Sequence, residues 1–357
     1  MFLVLVSPFV LTISGLLLFD QQVWLLMFVL KLVSAACDLI TLPVFLLIDK
    51  PWKNRPRAYC AQRHYEANGG YHYWERKGEV EILSEEDQKL RDHLQKLRHL
   101  SELLAIVQEV HGSKRCLGAR RVLARRTENG QVKFELSNGY EWRSYEQTLH
   151  AIRSLAKSLH HRFQLKRGDR VSIFAGTIPE YFIAFWALQS LGCEVLLLRS
   201  TPNESTIPVV LNENQIRLVF TQSDFVKFLN KLKPNIRTLS TLVCFHSPYA
   251  GQADVEELRN AKYDLFLYEQ LLQEGLALND SDLSANRESF SAADICLVLS
   301  TSGSTGQPKY VLLTHANFAH FLRVSRFRPN QKQTLLAYLE ASTIMELGFE
   351  VRFRATD

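Results

Sequence analysis

The chain has 357 residues, of which 46% are hydrophobic and 22% charged. Those proportions exclude a mainly disordered or collagen-like protein. Its 42 Lys and Arg against 37 Asp and Glu leave a net charge of +5, too diffuse an excess to point to nucleic acid. The length predicts two or three domains. Six cysteines stand at 37, 60, 116, 193, 244 and 296, none forming a CxxC pair. That spacing excludes a zinc ribbon or dithiol motif and suggests free thiols in a reducing compartment.

Residues 2–19 carry no charge, and Asp20, Gln21 and Gln22 end that run. A second apolar stretch covers residues 23–48, with Lys31 and Asp38 as its charges. A helix crossing the hydrocarbon core needs about 20 apolar residues. The first run just suffices if it starts at Met1, and the two charges suggest a tilted or interfacial second helix. A cleaved signal peptide would begin with cations, and none precedes Lys31. A buried core helix is the rival reading, and an uncharged run of this length favours a span over it. Lys50, Lys53, Arg55, Arg57 and Arg63 follow with no acid, and Trp52 and Tyr59 lie among them. Cations and aromatics at the end of an apolar stretch mark the cytoplasmic interface and attract anionic lipid. The reading is a membrane anchor over residues 1–49, in one pass or two, and a basic juxtamembrane linker over 50–83. The rest of the chain then faces the cytosol.

Ser84-Glu85-Glu86-Asp87 resembles a capping box with Asp in place of Glu. It predicts a helix running to about residue 110 and ended by His111-Gly112. Ser137-Asn138-Gly139, flanked by residues 132–136 and 140–142, predicts a hairpin turn. Ser144 is placed to cap a helix over about 145–163, where Leu149, Ile152, Leu155, Ala156 and Leu159 recur at helical spacing. Strands are predicted over 170–174, 194–198, 218–221 and 241–245. Helices are predicted over 179–191, 203–212 and about 223–232, with Pro208 limiting the second. Such alternation implies right-handed crossovers and a mostly parallel sheet flanked by helices. Residues 247–293 read as a polar, irregular approach with helical patches.

An apolar run, Leu297-Val298-Leu299-Ser300, is followed by Thr301-Ser302-Gly303-Ser304-Thr305-Gly306-Gln307-Pro308-Lys309. Apolar residues 310–314 come next, then His315-Ala316-Asn317 and an aromatic-rich helix. The loop therefore joins two strands. Glycines let backbone N–H groups converge on an anion, hydroxyls add donors, and lysine supplies a point charge suited to phosphate. The composition points to polyphosphate. It is not a Walker A loop, because Gln307-Pro308 separates Gly306 from Lys309 and a strand follows instead of a helix. A ligand-free Gly/Ser hairpin loop is the plain alternative, and the complete string is far more specific than a lone Gly-rich turn.

This string resembles the phosphate-binding loop of the adenylate-forming (AMP-binding) superfamily. The wider chain is most similar to the N-terminal part of long-chain acyl-CoA synthetases. The supporting stretches are Cys116-Leu117-Gly118-Ala119-Arg120, residues 140–145, residues 168–174, and Ala337-Tyr338-Leu339 with Met345-Glu346-Leu347. Leu42-Pro43-Val44-Phe45 and Lys50-Pro51-Trp52 resemble the anchor of the animal long-chain branch. The resemblance implies an α/β fold, an anchor followed by part of an AMP-binding domain over 84–357, and two-step chemistry. A long-chain fatty carboxylate attacks the α-phosphate of ATP, giving an acyl-adenylate and pyrophosphate, and the thiol of coenzyme A then displaces AMP. Mg2+ would neutralise phosphate charge. By position, Thr301, Ser302, Ser304 and Thr305 would offer donors. Gly303 and Gly306 would admit the backbone, and Lys309 would hold the β- or γ-phosphate. The implied location is the endoplasmic reticulum membrane, with membrane lipid, fatty acid and ATP as partners.

Two residues depart from the pattern. Tyr310 stands where the family usually has glycine, and a positive φ there would strain it by ~1–3 kcal/mol. Glu340-Ala341-Ser342-Thr343 replaces a Pro-Leu-Ala-His-like segment, so the histidine becomes Thr343. The resemblance also implies an adenine pocket, a segment reaching magnesium, a ribose-binding aspartate and a small domain with a catalytic lysine, all downstream of residue 357. No catalytic residue or metal ligand is therefore assigned within the chain. The expectation is a truncated ligase, and the alternative is a non-catalytic, membrane-tethered short isoform acting as a binding or interfering subunit.

Overall fold

The computed structural model of the chain describes residues 31, 64–65, 71–72, 96–128, 131–201, 203–246, 252–279, 290–302, 308–324, 334–344 and 346–348. They belong to two units, residues 1–81 and 82–357. The anchor reading lies outside the described residues except for Lys31, which is helical and exposed. Among the described residues no helix is long and apolar enough to cross a membrane. In the first unit, strands β1 (His64–Tyr65) and β2 (Tyr71–His72) pair antiparallel. The segment read as linker thus contains a short strand pair.

The second unit opens with helix α1 (Leu100–His111). The predicted helix over 84–110 is not continuous, because residues 97–99 leave the helical conformation. The cause is local: the His99 ring caps α1, its Nδ1 accepting from the Ser101 amide at 3.1 Å. Gly112, at φ 31°, ends the helix where the sequence placed its end.

Strands β3 (Arg115–Glu128) and β4 (Gln131–Ser144) form a long antiparallel ribbon separate from the main sheet. The expected turn at Ser137-Asn138-Gly139 is corrected here, since those residues lie inside β4. Arg120 pairs with Tyr140 and Val122 with Leu136, so residues 137–139 face Arg121 alone as a bulge. Arg121 donates its amide to Ser137 Oγ at 3.0 Å, and Ser137 Oγ donates to the Gly139 carbonyl at 2.8 Å. Those bonds serve polar groups that the ladder leaves over. The ladder instead continues to Glu128, which pairs with Gln131.

Helix α2 (Tyr145–Phe163) follows as predicted. Ser144 and Gln147 form a reciprocal capping box, at 3.1 Å and 2.9 Å, satisfying two otherwise orphaned donors. The alternation then runs β5 (Arg170–Phe174), α3 (Pro179–Ser190), β6 (Glu194–Leu198), α4 (Thr206–Glu213), β7 (Leu218–Gln222), α5 (Ser223–Leu232), β8 (Thr241–Phe245), α6 (Gln252–Arg259), β9 (Asp264–Leu267) and α7 (Tyr268–Leu276). Pro208 is tolerated because it falls in the first turn of α4, where no intrahelical N–H is needed. Strand β9 lies within the segment expected to be irregular. It is a four-residue edge strand parallel to β8. Strands β10 (Ile295–Ser302) and β11 (Pro308–Thr314) and helix α8 (His315–Val324) complete the elements.

Seven strands form one sheet in the order β11-β10-β6-β5-β7-β8-β9. Every pair is parallel except β10–β11. Along β6, Val195 and Leu197 join one core cluster while Leu196 and Leu198 join the other. In β8, Val243 and Phe245 divide from Leu242 and Cys244 in the same way. Period-two alternation with both faces covered explains why these strands read as continuous apolar runs. Helices α1, α2, α3, α7 and α8 cover one face, and α4 and α5 the other. Gly192, at φ 73°, turns the chain from α3 into β6, and a Cβ there would approach the Phe290 ring to 2.7 Å. Among the described cysteines, 116, 193, 244 and 296 are free.

Candidate functional site

Of the residues expected to hold phosphate, Thr301, Ser302 and Lys309 lie at the end of the β10–β11 hairpin. β10 runs parallel to β6, with Leu299 opposite Leu197. Its carboxyl end therefore shares an edge of the sheet with the carboxyl ends of β5, β6, β7 and β8. In open α/β sheets ligands bind at this edge, near the point where strand order reverses. Here the order reverses at β5, which has β6 on one side and β7 on the other. Thr301 and Ser302 are the last residues of β10, opposite Lys309 and Pro308. Lys309 is exposed at the start of β11. Residues 303–307, which include Gly303, Ser304, Thr305 and Gly306, lie outside the described residues.

Strand β11 is held at both ends. The Tyr310 hydroxyl donates to Glu213 Oε2, at the end of α4, at 2.7 Å. Tyr310 pairs with Ser300 in an ordinary ladder and is not among the positive-φ residues, so the expected strain is absent. Its ring packs on the cluster that contains Ile207 and Val210. Burial, then the hydrogen bond to Glu213, pushes the phenol up, so it stays a donor. The side chain that looked like a misfit is a tie between β11 and α4.

At the other end, His315 is fully buried and accepts from the Leu100 amide through Nδ1 at 3.3 Å. Its ring lies 3.4 Å, centroid to centroid, from that of His99, which stacks on Phe290 at 4.4 Å. Both Nδ1 atoms accept, so both protons sit on Nε2. Desolvation pushes His99 down to about 4 and His315 down to about 3. Asp294, ion-paired with Arg167 at 2.7 Å, works against that shift at both rings. The pair is therefore neutral and joins α8 to α1.

A second cluster occupies the same sheet edge. Glu340 accepts from Ser200 Oγ at 2.7 Å and Thr201 Oγ1 at 3.2 Å, and Arg199 lies at 3.8 Å. The Thr177 hydroxyl, just beyond β5, donates to the Leu339 carbonyl at 2.9 Å and accepts from the Ala341 amide at 3.0 Å. Thr343 donates its hydroxyl to the Glu340 carbonyl at 2.8 Å. Residues 339–343 are thus fastened across the ends of β5 and β6. Sequence reasoning missed this cluster, although the polar run Arg199-Ser200-Thr201 directly after an apolar strand was its signal. Gln222, at the end of β7, accepts from the Gly176 amide at 2.6 Å and closes the crevice on the other side of β5. Among the described residues no group of three His, Cys, Asp or Glu could hold a metal ion.

The AMP-binding enzyme family matches residues 121–353, and the chain belongs to that family. A protein named long-chain-fatty-acid–CoA ligase 2, from Schizosaccharomyces pombe, is 26% identical over 70% of this chain and 38% of its own length. The acyl-CoA ligase sidI of Aspergillus fumigatus is 28% identical over 46% of this chain and 28% of its own. The chain therefore spans about a third of the length of these relatives. Among solved structures, the A-PCP didomain of a carboxylic acid reductase from Segniliparus rugosus, in complex with AMP, matches with a TM-score of 0.65. The match has 16% identity and covers 78% of this chain and 41% of that one. At that identity the likeness shows the fold alone, and the fold is the expected α/β adenylate-forming one.

Proposed function

We propose that the chain is part of a membrane-anchored ligase that activates long-chain fatty acids with ATP, through an acyl-adenylate, for transfer to coenzyme A. The observation that carries this reading is the complete Thr-Ser-Gly-Ser-Thr-Gly-Gln-Pro-Lys string on a hairpin at the carboxyl edge of the sheet. In this reading Thr301, Ser302, Ser304 and Thr305 donate to phosphate oxygens, and Gly303 and Gly306 admit the backbone. Lys309 offsets the β- or γ-phosphate charge. Glu340 and Thr177 hold the neighbouring segment in place. Mg2+ would shield the phosphates when bound. Residues 1–49 tether the enzyme to the endoplasmic reticulum, with the cations of residues 50–63 on the cytosolic lipid surface.

The test is on native protein. An antibody to residues 66–86 captures it from membranes, and the captured protein is assayed for palmitate-dependent exchange of pyrophosphate into ATP. Exchange that disappears in a Lys309→Met replacement line supports the reading. ATP binding without exchange supports the second reading, a non-catalytic tethered subunit, which Thr343 in place of the family's histidine favours. Absence of ATP binding refutes both.

A further inference from the structure

We propose that Arg199, Ser200 and Thr201 form a second polyphosphate site, in which the Glu340 carboxylate stands in for phosphate until a nucleotide or pyrophosphate displaces it. This deepens the ligase reading and rests on it, because the ligand is the one that the phosphate string would hold. The run directly follows β6, and Leu197 of β6 pairs in parallel with Leu299 of β10. Two residues further along each strand, Arg199 comes level with Thr301, and Ser200 then with Ser302. The run therefore stands beside the start of the string, at the same edge of the sheet. It also repeats the chemistry of the string, a cation next to hydroxyl donors at the end of a strand.

The contacts are those of an anion site with an anion in it. Ser200 Oγ donates to Glu340 Oε1 at 2.7 Å, and Thr201 Oγ1 donates to the same oxygen at 3.2 Å. Ser342 Oγ donates to Oε2 at 3.3 Å. Arg199 completes the set loosely: its Nε lies 3.8 Å from Oε2, beyond hydrogen-bond reach, and its side chain is 71% exposed. The hydroxyls alone suffice to fasten the carboxylate. A guanidinium fork matches phosphate oxygens two at a time, and a polyphosphate offers it more charge than one carboxylate does. Glu340 is itself partly exposed, so an anion from solvent can compete for these donors. Its departure leaves a second tie in place, because Thr177 holds the Leu339 carbonyl and the Ala341 amide without using the carboxylate. Phosphate binding is thereby coupled to a loosening of residues 339–343.

The experiment is equilibrium dialysis of pyrophosphate and of ATP, without magnesium, against the full chain in detergent micelles. The proteins are the wild type, Arg199→Gln, Glu340→Gln and the double variant. The glutamine amide oxygen still accepts from Ser200, so Glu340→Gln removes the competing charge and keeps the fastening. Glu340→Gln is expected to tighten pyrophosphate binding about fivefold, Arg199→Gln to weaken it about fivefold, and the double variant to lose the gain. Hydrogen exchange adds a readout that a merely structural role would not move: saturating pyrophosphate should speed exchange in residues 339–343 of the wild type. Matching shifts for ATP place nucleotide phosphates on the site, and shifts for pyrophosphate alone make it a site for the free anion; both support the proposal. Unchanged or weaker binding in Glu340→Gln overturns it, as does wild-type binding in Arg199→Gln, unchanged or slower exchange in residues 339–343, or no binding by either the wild type or Glu340→Gln. Lys309→Met separates this proposal from the reading beneath it. If Lys309→Met changes nothing while Arg199→Gln weakens binding, the string reading fails and the second site stands. If Lys309→Met abolishes binding that the Arg199 and Glu340 variants leave unaltered, the string reading stands and the second site fails.

Discussion

The buried pair His99 and His315 predicts how the fold fails in acid. Both rings are neutral in the folded chain, pushed down by desolvation to about 4 and about 3. In the unfolded chain each returns to about 6.5. Between those limits the unfolded state binds more protons, so stability falls as pH falls through 6.5 towards the folded values. From pH 7.5 to 5 each ring costs about 2 kcal/mol, and the two together about 4 kcal/mol if they titrate independently. That is a large part of the stability of an ordinary domain, roughly 5–15 kcal/mol. Protonating Nδ1 would also end its acceptance from the Leu100 or Ser101 amide, releasing the start of α1. The assay is urea unfolding of the full chain in detergent micelles across this pH range, for the wild type and for His315→Asn. The amide oxygen of asparagine can still accept from Leu100 but does not titrate. The variant should lose about half of the pH-dependent fall. Equal falls in the two proteins would refute the assignment.

Gly275→Ala should be destabilising, although alanine is the better helix former by about 1 kcal/mol. The added Cβ would lie 1.8 Å from the Ser154 carbonyl oxygen, so α7 must retreat from the backbone of α2 at a cost of about 1–3 kcal/mol or more; an unchanged or raised melting temperature would contradict this packing. Tyr310→Phe removes one hydrogen bond to Glu213 and should cost about 1 kcal/mol, whereas Tyr310→Gly also removes the ring and should cost more, as chemical denaturation will report. Lys309→Met should weaken ATP binding, measured by equilibrium dialysis, without moving the unfolding midpoint, since the residue is exposed. Glu340→Ala should speed amide exchange in residues 339–347 and leave β10 and β11 unchanged.

The parts of the fold legible in the sequence are those decided by local chemistry or by burial on two faces. Ser144 caps α2 through its own hydroxyl, and no distant residue alters that. Strands β5, β6 and β8 are mostly apolar after a polar first residue because helices cover both faces of the sheet, and their limits match the prediction. Strand β9 escaped notice because it has four residues, starts with an exposed Asp264 and gains its order from β8. The ribbon turn was misplaced because Ser-Asn-Gly and Asn-Gly are both turn-competent. Only the cross-strand register, in which Glu128 meets Gln131, decides between them.

The candidate site divides in the same way. The phosphate string announces itself, because no ordinary turn needs four hydroxyls, two glycines and a lysine in nine residues. What holds the string in place does not, because each support comes from far away in sequence. Glu213 lies 97 residues from Tyr310, Leu100 lies 215 from His315, and Ser200 lies 140 from Glu340. Tyr310 shows the consequence. Read against a family glycine it is a misfit, and read against its neighbours it is a hydrogen-bonded strand residue with an ordinary backbone. A residue that departs from a motif can therefore be judged only with the partner it has gained, and here that partner, Glu213, belongs to a helix that the motif does not include.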